Sequence, residues 1–227
     1  MNLTFKHKLL AAGICLLPVT GFAADASEAL NYGWLEADYI NFDIDQPNED
    51  SIFSEDFDNG GGFGVSASLP LSEMFFLFGD YSETESDFTF VDNLNIVQPA
   101  GTDLQRLNLG AGVRLPMSDR ADLVLSGAYT DLDYDHFGVV GSAGNNSFDD
   151  LNEDASDGFI LDARFRMQLT QALEGSIGAR YTEIEDADGL SLVGNVLFEL
   201  SPNWGINLSL DAGDELMTYG AGVRYSF

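Results

Sequence analysis

The sequence predicts an all-β protein, a closed antiparallel up-and-down transmembrane β-barrel of ten strands. Apolar and polar residues alternate along ten short segments, and no continuous apolar run follows residue 24. Long polar stretches and tight turns separate these segments in regular succession. Alternation without apolar runs is typical of strands that face lipid on one side and a lumen on the other. A count of eight strands is the alternative if the last four segments are divided differently.

The predicted strands each alternate an apolar face with small or polar residues. In chain order they span residues 31–42, 61–69, 74–84, 103–115, 121–134, 157–169, 173–185, 189–200, 204–213 and 216–227. The fourth is the clearest internal example, with Leu107, Leu109, Ala111, Val113 and Leu115 on its apolar face. In the third strand, Phe76 and Phe78 blur the phase, although Phe75, Leu77, Gly79 and Tyr81 are expected to face outward. The other strands follow the same period of two.

The segments between the strands predict the topology. Long polar loops are expected at residues 43–59, 85–102 and 135–156, each after an odd-numbered strand. Short turns with Pro, Ser or Asp, such as those at 70–73 and 116–120, follow the even-numbered strands. This rhythm predicts long loops on the outside and both termini on the side of the short turns.

The first 23 residues predict a cleaved secretory signal peptide, so residues 24–227 are expected to form one barrel domain. Lys6 and Lys8 precede a short apolar run, and Ala23 ends a small-residue cleavage signal. The run is shorter than the roughly 20 residues that a spanning helix needs. Cys15 lies within it, preceded by Ile14, which does not suit a lipoprotein cleavage site. The mature chain therefore contains no cysteine and no disulfide.

The charge balance excludes several classes of protein. The chain has 9 Lys+Arg and 38 Asp+Glu, and removing Lys6 and Lys8 leaves 7 arginines and a net charge of 7 − 38 = −31. A nucleic-acid partner is excluded on electrostatic grounds, and peripheral docking to an anionic lipid surface is disfavoured. Abundant aromatic residues argue against an acidic disordered protein.

Inward-facing charges form the candidate site. An arginine that faces lipid at the bilayer midplane costs about 2–4 kcal/mol, so the alternation must place arginines inside. The predicted lumen network comprises Glu36, Asp38, Arg106, Arg114, Asp162, Arg164, Arg166, Arg180, Glu199 and Arg224, with Asp80 and Asp211 as further inward acids. One interpretation is a salt-bridged structural core, and the other is a thin polar path for ions or small solutes.

The acidic loops and one acidic cluster are the candidates for cation binding or catalysis. The loops suit a solvated, repulsive surface or weak binding of divalent cations through oxygen ligands. Asp131, Asp133, Asp135 and His136 cluster near the end of the fifth strand, but adjacent residues of a strand point to opposite faces. No serine nucleophile elbow or phosphate-binding glycine loop is present. We therefore predict no enzyme activity, no cofactor and no dedicated metal site.

The signal peptide, the loop rhythm and the terminal strand together resemble small Gram-negative outer-membrane β-barrel proteins, a group that includes porin-like channels, adhesion proteins, envelope-stabilising proteins and a few enzymes. The resemblance rests most on Tyr219, Val223, Tyr225 and the final Phe227. It implies an outer-membrane location beside lipopolysaccharide, a monomeric barrel, and recognition of the last strand by the barrel assembly machinery. Trp204, Tyr225 and Phe227 fit an inner aromatic girdle; Tyr39, Tyr81, Tyr129, Tyr181 and Tyr219 fit an outer one.

Two functions remain open from the sequence. The leading hypothesis is a non-enzymatic structural or surface-exposed envelope protein with acidic extracellular loops. The alternative is a narrow, porin-like passive channel. They differ in whether the inward layer of arginine and carboxylate side chains closes the lumen.

Overall fold

A computed structural model describes residues 30–44, 59–91, 97–142, 145–185, 187–213 and 216–227. The predicted signal peptide and most of the first acidic loop lie outside these residues. Within the described ranges, no helix is long and apolar enough to cross a membrane.

The fold is a closed antiparallel barrel of ten strands, as predicted, and the alternative of eight is wrong. The strands are β1 (Trp34–Ile44), β2 (Asn59–Pro70), β3 (Phe75–Val91), β4 (Val97–Ser118), β5 (Ala121–Ser142), β6 (Asn145–Thr170), β7 (Leu173–Ile184), β8 (Ala187–Glu199), β9 (Trp204–Ala212) and β10 (Leu216–Ser226). Each strand pairs with its neighbour in sequence, and β1 closes the barrel against β10. Closure leaves no free edge along the paired strands. We call the end with the tight turns the turn end and the opposite end the loop end.

The outer surface of the barrel is apolar because one face of each strand meets lipid. Phe63 is 71% exposed, and Leu109 and Ile177 project outward in the same way. A soluble protein would bury side chains of this kind, whereas a hydrocarbon solvent favours them outside. The inward faces carry glycine, hydroxyl, amide and charged side chains.

Two predicted loops are largely strand. β3 and β4 continue through most of residues 85–102, and β5 and β6 run through most of residues 135–156 as a paired hairpin. The prediction failed there because Gly, Asn, Ser and Asp residues are frequent in these segments, and such residues favour loops. Beyond the bilayer, ladder hydrogen bonds alone keep the backbone satisfied, so a strand needs no apolar face.

Glycines in β4 decide which way two phenylalanines of β3 point. Phe76 and Phe78 pair in register with Gly112 and Gly110, and both rings turn inward over these glycines. A Cβ atom at Gly112 would clash with the Phe76 ring. Phe75 and Leu77 consequently face lipid, as the sequence predicts.

Replacement of Gly112 by alanine is expected to lower the free energy of unfolding by about 1–3 kcal/mol, because overpacking would displace the Phe76 ring. Gly194 provides a control, since the nearest atom to a Cβ there is the Ser176 carbonyl oxygen at 3.9 Å. Denaturant unfolding of both variants in lipid vesicles measures the difference. Equal stability of the two variants would contradict the proposed packing.

Candidate functional site

The lumen holds layers of ion pairs, and strand register creates the first of them. Glu36 on β1 lies opposite Arg224 on β10. Arg224 Nε donates to Glu36 Oε2 at 2.7 Å, and Asn207 Nδ2 donates to Glu36 Oε1 at 2.7 Å. The Arg224 guanidinium also lies over the Trp34 ring, with Cζ 4.2 Å from the centroid. Both carboxylate oxygens of Glu36 therefore accept a hydrogen bond.

A second layer centres on Asp162 of β6. Arg164 donates to both of its carboxylate oxygens at 2.7 Å, and Arg180 Nε reaches Oδ2 at 3.3 Å. Arg180 Nη1 also donates to Asp211 of β9 at 2.6 Å. One carboxylate thus holds two guanidinium groups, and Arg180 connects three strands across the lumen wall.

The third layer is the most buried and lies toward the turn end. Arg166 of β6 makes a two-pronged contact with Glu174 of β7, in which Nη2 donates to Oε2 at 2.9 Å. Arg166 is 9% exposed and Glu174 is 3% exposed. A buried charge pair of this geometry is strongly destabilising to break, because the remaining charge has no water around it.

The segment before β1 folds back into the turn end of the barrel. We call residues 30–33 the plug segment. Tyr32 is 7% exposed, and its hydroxyl donates to Asp122 Oδ2 at 3.0 Å. Its ring lies 5.1 Å from the Phe76 ring, and the Arg166 guanidinium stacks 4.5 Å from its centroid. An aromatic ring therefore fills the bore beside the deepest ion pair.

Hydrogen bonds with two arginines and with the last residue hold the plug segment in place. Arg166 Nη2 donates to the Asn31 carbonyl oxygen at 2.8 Å. Arg114 Nη1 reaches the Leu30 carbonyl oxygen at 3.5 Å, and Asn31 Nδ2 reaches the carbonyl oxygen of Phe227 at 3.2 Å. The position of the plug segment is thus tied to β4, β6 and the chain terminus.

A repeated phrase in the sequence places two of these arginines. The run Gly-Ala-Gly-Val-Arg ends at Arg114 in β4 and at Arg224 in β10. Arg114 lies 5.4 Å from the Tyr32 ring and Arg224 lies over the Trp34 ring. Each copy therefore brings a guanidinium against an aromatic residue near the start of the barrel.

The predicted lumen residues fall into three groups according to their ion pairs. Glu36, Arg224, Asp162, Arg164, Arg166 and Arg180 make close ion pairs, and Arg114 lies 3.7 Å from Asp122. Asp38, Arg106 and Glu199 also lie on the inward phase, yet within the described part of the chain they make no ion pair. The sequence reading missed Tyr32, Asp122 and Glu174. Asp122 and Glu174 each follow a turn directly and lie at an inward-facing position of their strand, and this position could have identified them.

An acidic collar surrounds the barrel at the loop end. Its outward-facing or rim carboxylates are Asp43, Glu83, Glu85, Asp103, Asp131, Asp133, Asp157, Glu183, Glu185 and Asp188. The motif Tyr-Ser/Thr-Asp/Glu occurs three times, at 81–83, 129–131 and 181–183. In each copy the acid lies one outward position beyond a tyrosine of the outer girdle. Because such girdles lie at the membrane interface, the collar falls at the level of the lipid headgroups.

Strand register sets several collar carboxylates directly against one another. Glu85 faces Asp103, Asp131 faces Asp157, and Glu183 faces Asp188. No lysine occurs after residue 23, and none of the seven arginines is among these facing residues. Like charges directly opposite destabilise a sheet unless a cation lies between them. Across the described ranges, no group of three or more His, Cys, Asp or Glu side chains forms a metal site, so any cation here needs further ligands.

Comparisons with solved structures agree on the architecture. The β domain of the Bordetella autotransporter BrkA matches 86% of this chain and 99% of its own, with 12% identity and a TM-score of 0.54. The translocator domain of the autotransporter NalP from Neisseria meningitidis matches 99% and 95%, with 12% identity and a TM-score of 0.51. The KdgM porin, at 13% identity, covers 85% of this chain and 99% of its own with a TM-score of 0.44.

At these identities the likeness shows the fold alone. No family model and no curated sequence matches the chain. The molecule has the fold of Gram-negative outer-membrane β-barrels, and its particular role must be argued from its own residues.

Proposed function

We propose that this protein is a non-enzymatic, monomeric, integral protein of the bacterial outer membrane with an envelope-stabilising role. In this proposal a cleaved signal peptide directs it across the inner membrane, and the assembly machinery reads β10. Its acidic collar holds divalent cations against the phosphate groups of lipopolysaccharide. The observation that carries the proposal is the set of carboxylates that strand register places opposite one another at the headgroup level.

The chemistry of the collar suits magnesium or calcium. Magnesium keeps several water ligands and commonly binds through one or two carboxylates together with phosphate oxygens. Each facing pair supplies two carboxylates, and the lipid supplies phosphate. A bound cation removes the repulsion between the two acids and between protein and lipid. A barrel anchored in this way would join lipopolysaccharide molecules around its rim.

The cation bridge is testable by thermal unfolding in lipopolysaccharide-containing vesicles, read from heat-modifiable gel mobility. Chelation of magnesium is expected to lower the melting temperature of the wild type. A ligand at 100 times its Kd adds about 2.7 kcal/mol to the free energy of unfolding. The triple variant E85Q/D131N/E183Q, which neutralises one acid in each facing pair, is expected to lose the response.

Glu73 and Asp119, two exposed acids of the turn end, provide the control. The variant E73Q/D119N is expected to keep the full magnesium response, because its substitutions lie away from the collar. A wild type that ignores chelation, or a triple variant that responds like the wild type, would overturn the proposal.

The same proposal predicts a lumen closed to ions. Tyr32, Phe76 and the Arg166–Glu174 pair fill the bore at the turn end. We expect the refolded wild type to give no discrete openings in a planar bilayer. Reproducible openings of a folded barrel would instead favour the narrow passive channel.

A further inference from the structure

Among the described residues that line the lumen cavity, three charged side chains make no ion pair. The cavity has a volume of about 330 Å³ and is lined by six carboxylates and five arginines. Four pairs account for most of them, through Arg224, Arg166, Arg164 and Arg180. Throughout the part of the chain that the structure describes, Asp38, Asp80 and Arg106 make no ion pair. Their charges sum to −1, so this wall lacks one positive charge.

Glycines on both neighbouring strands keep space beside Asp38. Asp38 pairs in register with Gly64 on β2 and with Gly222 on β10. A Cβ atom at Gly64 would lie 2.9 Å from Asp38 Oδ2, and one at Gly222 would lie 2.8 Å from Asp38 Cβ. A larger residue at either position would occupy the space around this carboxylate. The charged groups that act on Asp38 are Glu36 and Asp80, which repel it, and Arg106 and Arg224, which attract it.

A buried amide beside Asp80 provides an independent sign of an unfilled site. Asn108 lines the cavity and is 4% exposed. Its Nδ2 donates to Asp80 Oδ1 at 2.7 Å, while its Oδ1 has no hydrogen-bond partner. Buried polar atoms are nearly always paired in folded proteins, so an orphaned acceptor next to the Asp80 carboxylate indicates a missing donor.

We propose that Asp38, Asp80 and Asn108 form a binding site for a small primary ammonium ion. An ammonium group carries one positive charge and three hydrogen-bond donors, which match the missing charge and the available oxygen acceptors. A divalent metal is a poorer match, because the lumen wall lacks one positive charge rather than two. The strongly negative net charge, −29 for the full chain, raises the local concentration of cations.

Titration calorimetry with n-propylammonium chloride at low ionic strength tests the site on the full, refolded barrel. Saturable one-to-one binding is expected for the wild type. Asp38→Asn and Asp80→Asn are each expected to weaken it at least about tenfold, because a charge-assisted hydrogen bond is lost. Glu73→Gln, which removes one negative charge from the exposed turn end, is expected to change the affinity less than about twofold because that carboxylate lies outside the lumen.

Thermal unfolding separates loss of binding from loss of folding. Without ligand, Asp38→Asn is expected to melt no lower than the wild type, because it removes a carboxylate that is repelled by its neighbours. With propylammonium, the wild type is expected to melt higher and the Asp38→Asn variant to stay unchanged. The proposal fails if Asp38→Asn binds as tightly as the wild type. It fails equally if Glu73→Gln abolishes binding, or if potassium or calcium saturates the wild type while propylammonium does not.

Discussion

Replacement of Tyr32 by alanine is expected to turn a silent barrel into one that conducts ions. The Tyr32 ring fills the turn end of the lumen between Phe76 and the Arg166 guanidinium. Its removal leaves a gap bordered by charged side chains, and water can occupy a polar gap of this kind. Planar-bilayer recordings of the refolded variant are expected to show discrete openings that the wild type lacks.

Two further variants show whether the ring itself blocks the bore. Tyr32→Phe keeps the ring and loses only the hydrogen bond to Asp122, so it is expected to stay silent. Tyr39→Ala makes the same truncation on the lipid-facing side, where Tyr39 is 48% exposed, and is also expected to stay silent. A folded but silent Tyr32→Ala barrel would place the constriction in the ion-pair layers above the plug segment.

Replacement of Glu174 by alanine is expected to cause the largest loss of stability among the lumen substitutions. It leaves Arg166 buried without its carboxylate, and breaking a buried pair in this way costs about 3–5 kcal/mol. The loss is measured as the change in free energy of unfolding in urea, with the folded barrel in lipid vesicles. The double variant R166M/E174L, which removes both charges, is expected to recover much of that loss.

Arg164→Ala provides a matched control within the same strand. The Arg164 side chain is 30% exposed, against 11% for Arg166, and Asp162 keeps Arg180 as a partner. Removal of the Arg164 guanidinium is therefore expected to cost about 0–1 kcal/mol. If Glu174→Ala proved as mild as Arg164→Ala, the deep pair would not be the main electrostatic support of the barrel.

The sequence predicted the barrel part of each strand well and the extensions poorly. Alternation in residues 103–115 identified the lipid-spanning part of β4, because lipid forces every outward side chain there to be apolar. Residues 135–156 carry no such constraint, and their strand structure depends on pairing between β5 and β6. For Phe76 and Phe78 the inward direction followed from glycines in β4, which only the register between β3 and β4 places beneath the rings.

The candidate site was likewise predicted only in part from the sequence. The cost of a charge in lipid predicts that Arg166 and Arg180 face inward, but it does not predict which carboxylates they contact. Glu174 and Asp211 become partners through register and through the width of the lumen. Tyr32 lies before the first strand, and nothing in its local sequence shows that it folds back into the bore.

The sequence by itself determined the class of fold, the up-and-down topology and the inward face of six arginines. These properties depend on local composition, because the solvent next to each residue, whether lipid, water or lumen, selects its type with a period of two. Only the tertiary structure decided the facing carboxylates of the collar, the position of residues 30–33 inside the turn end and the unmatched charges of Asp38, Asp80 and Arg106. Those properties depend on which residues of different strands come to lie opposite one another. The pattern within one strand carries no information about its partners.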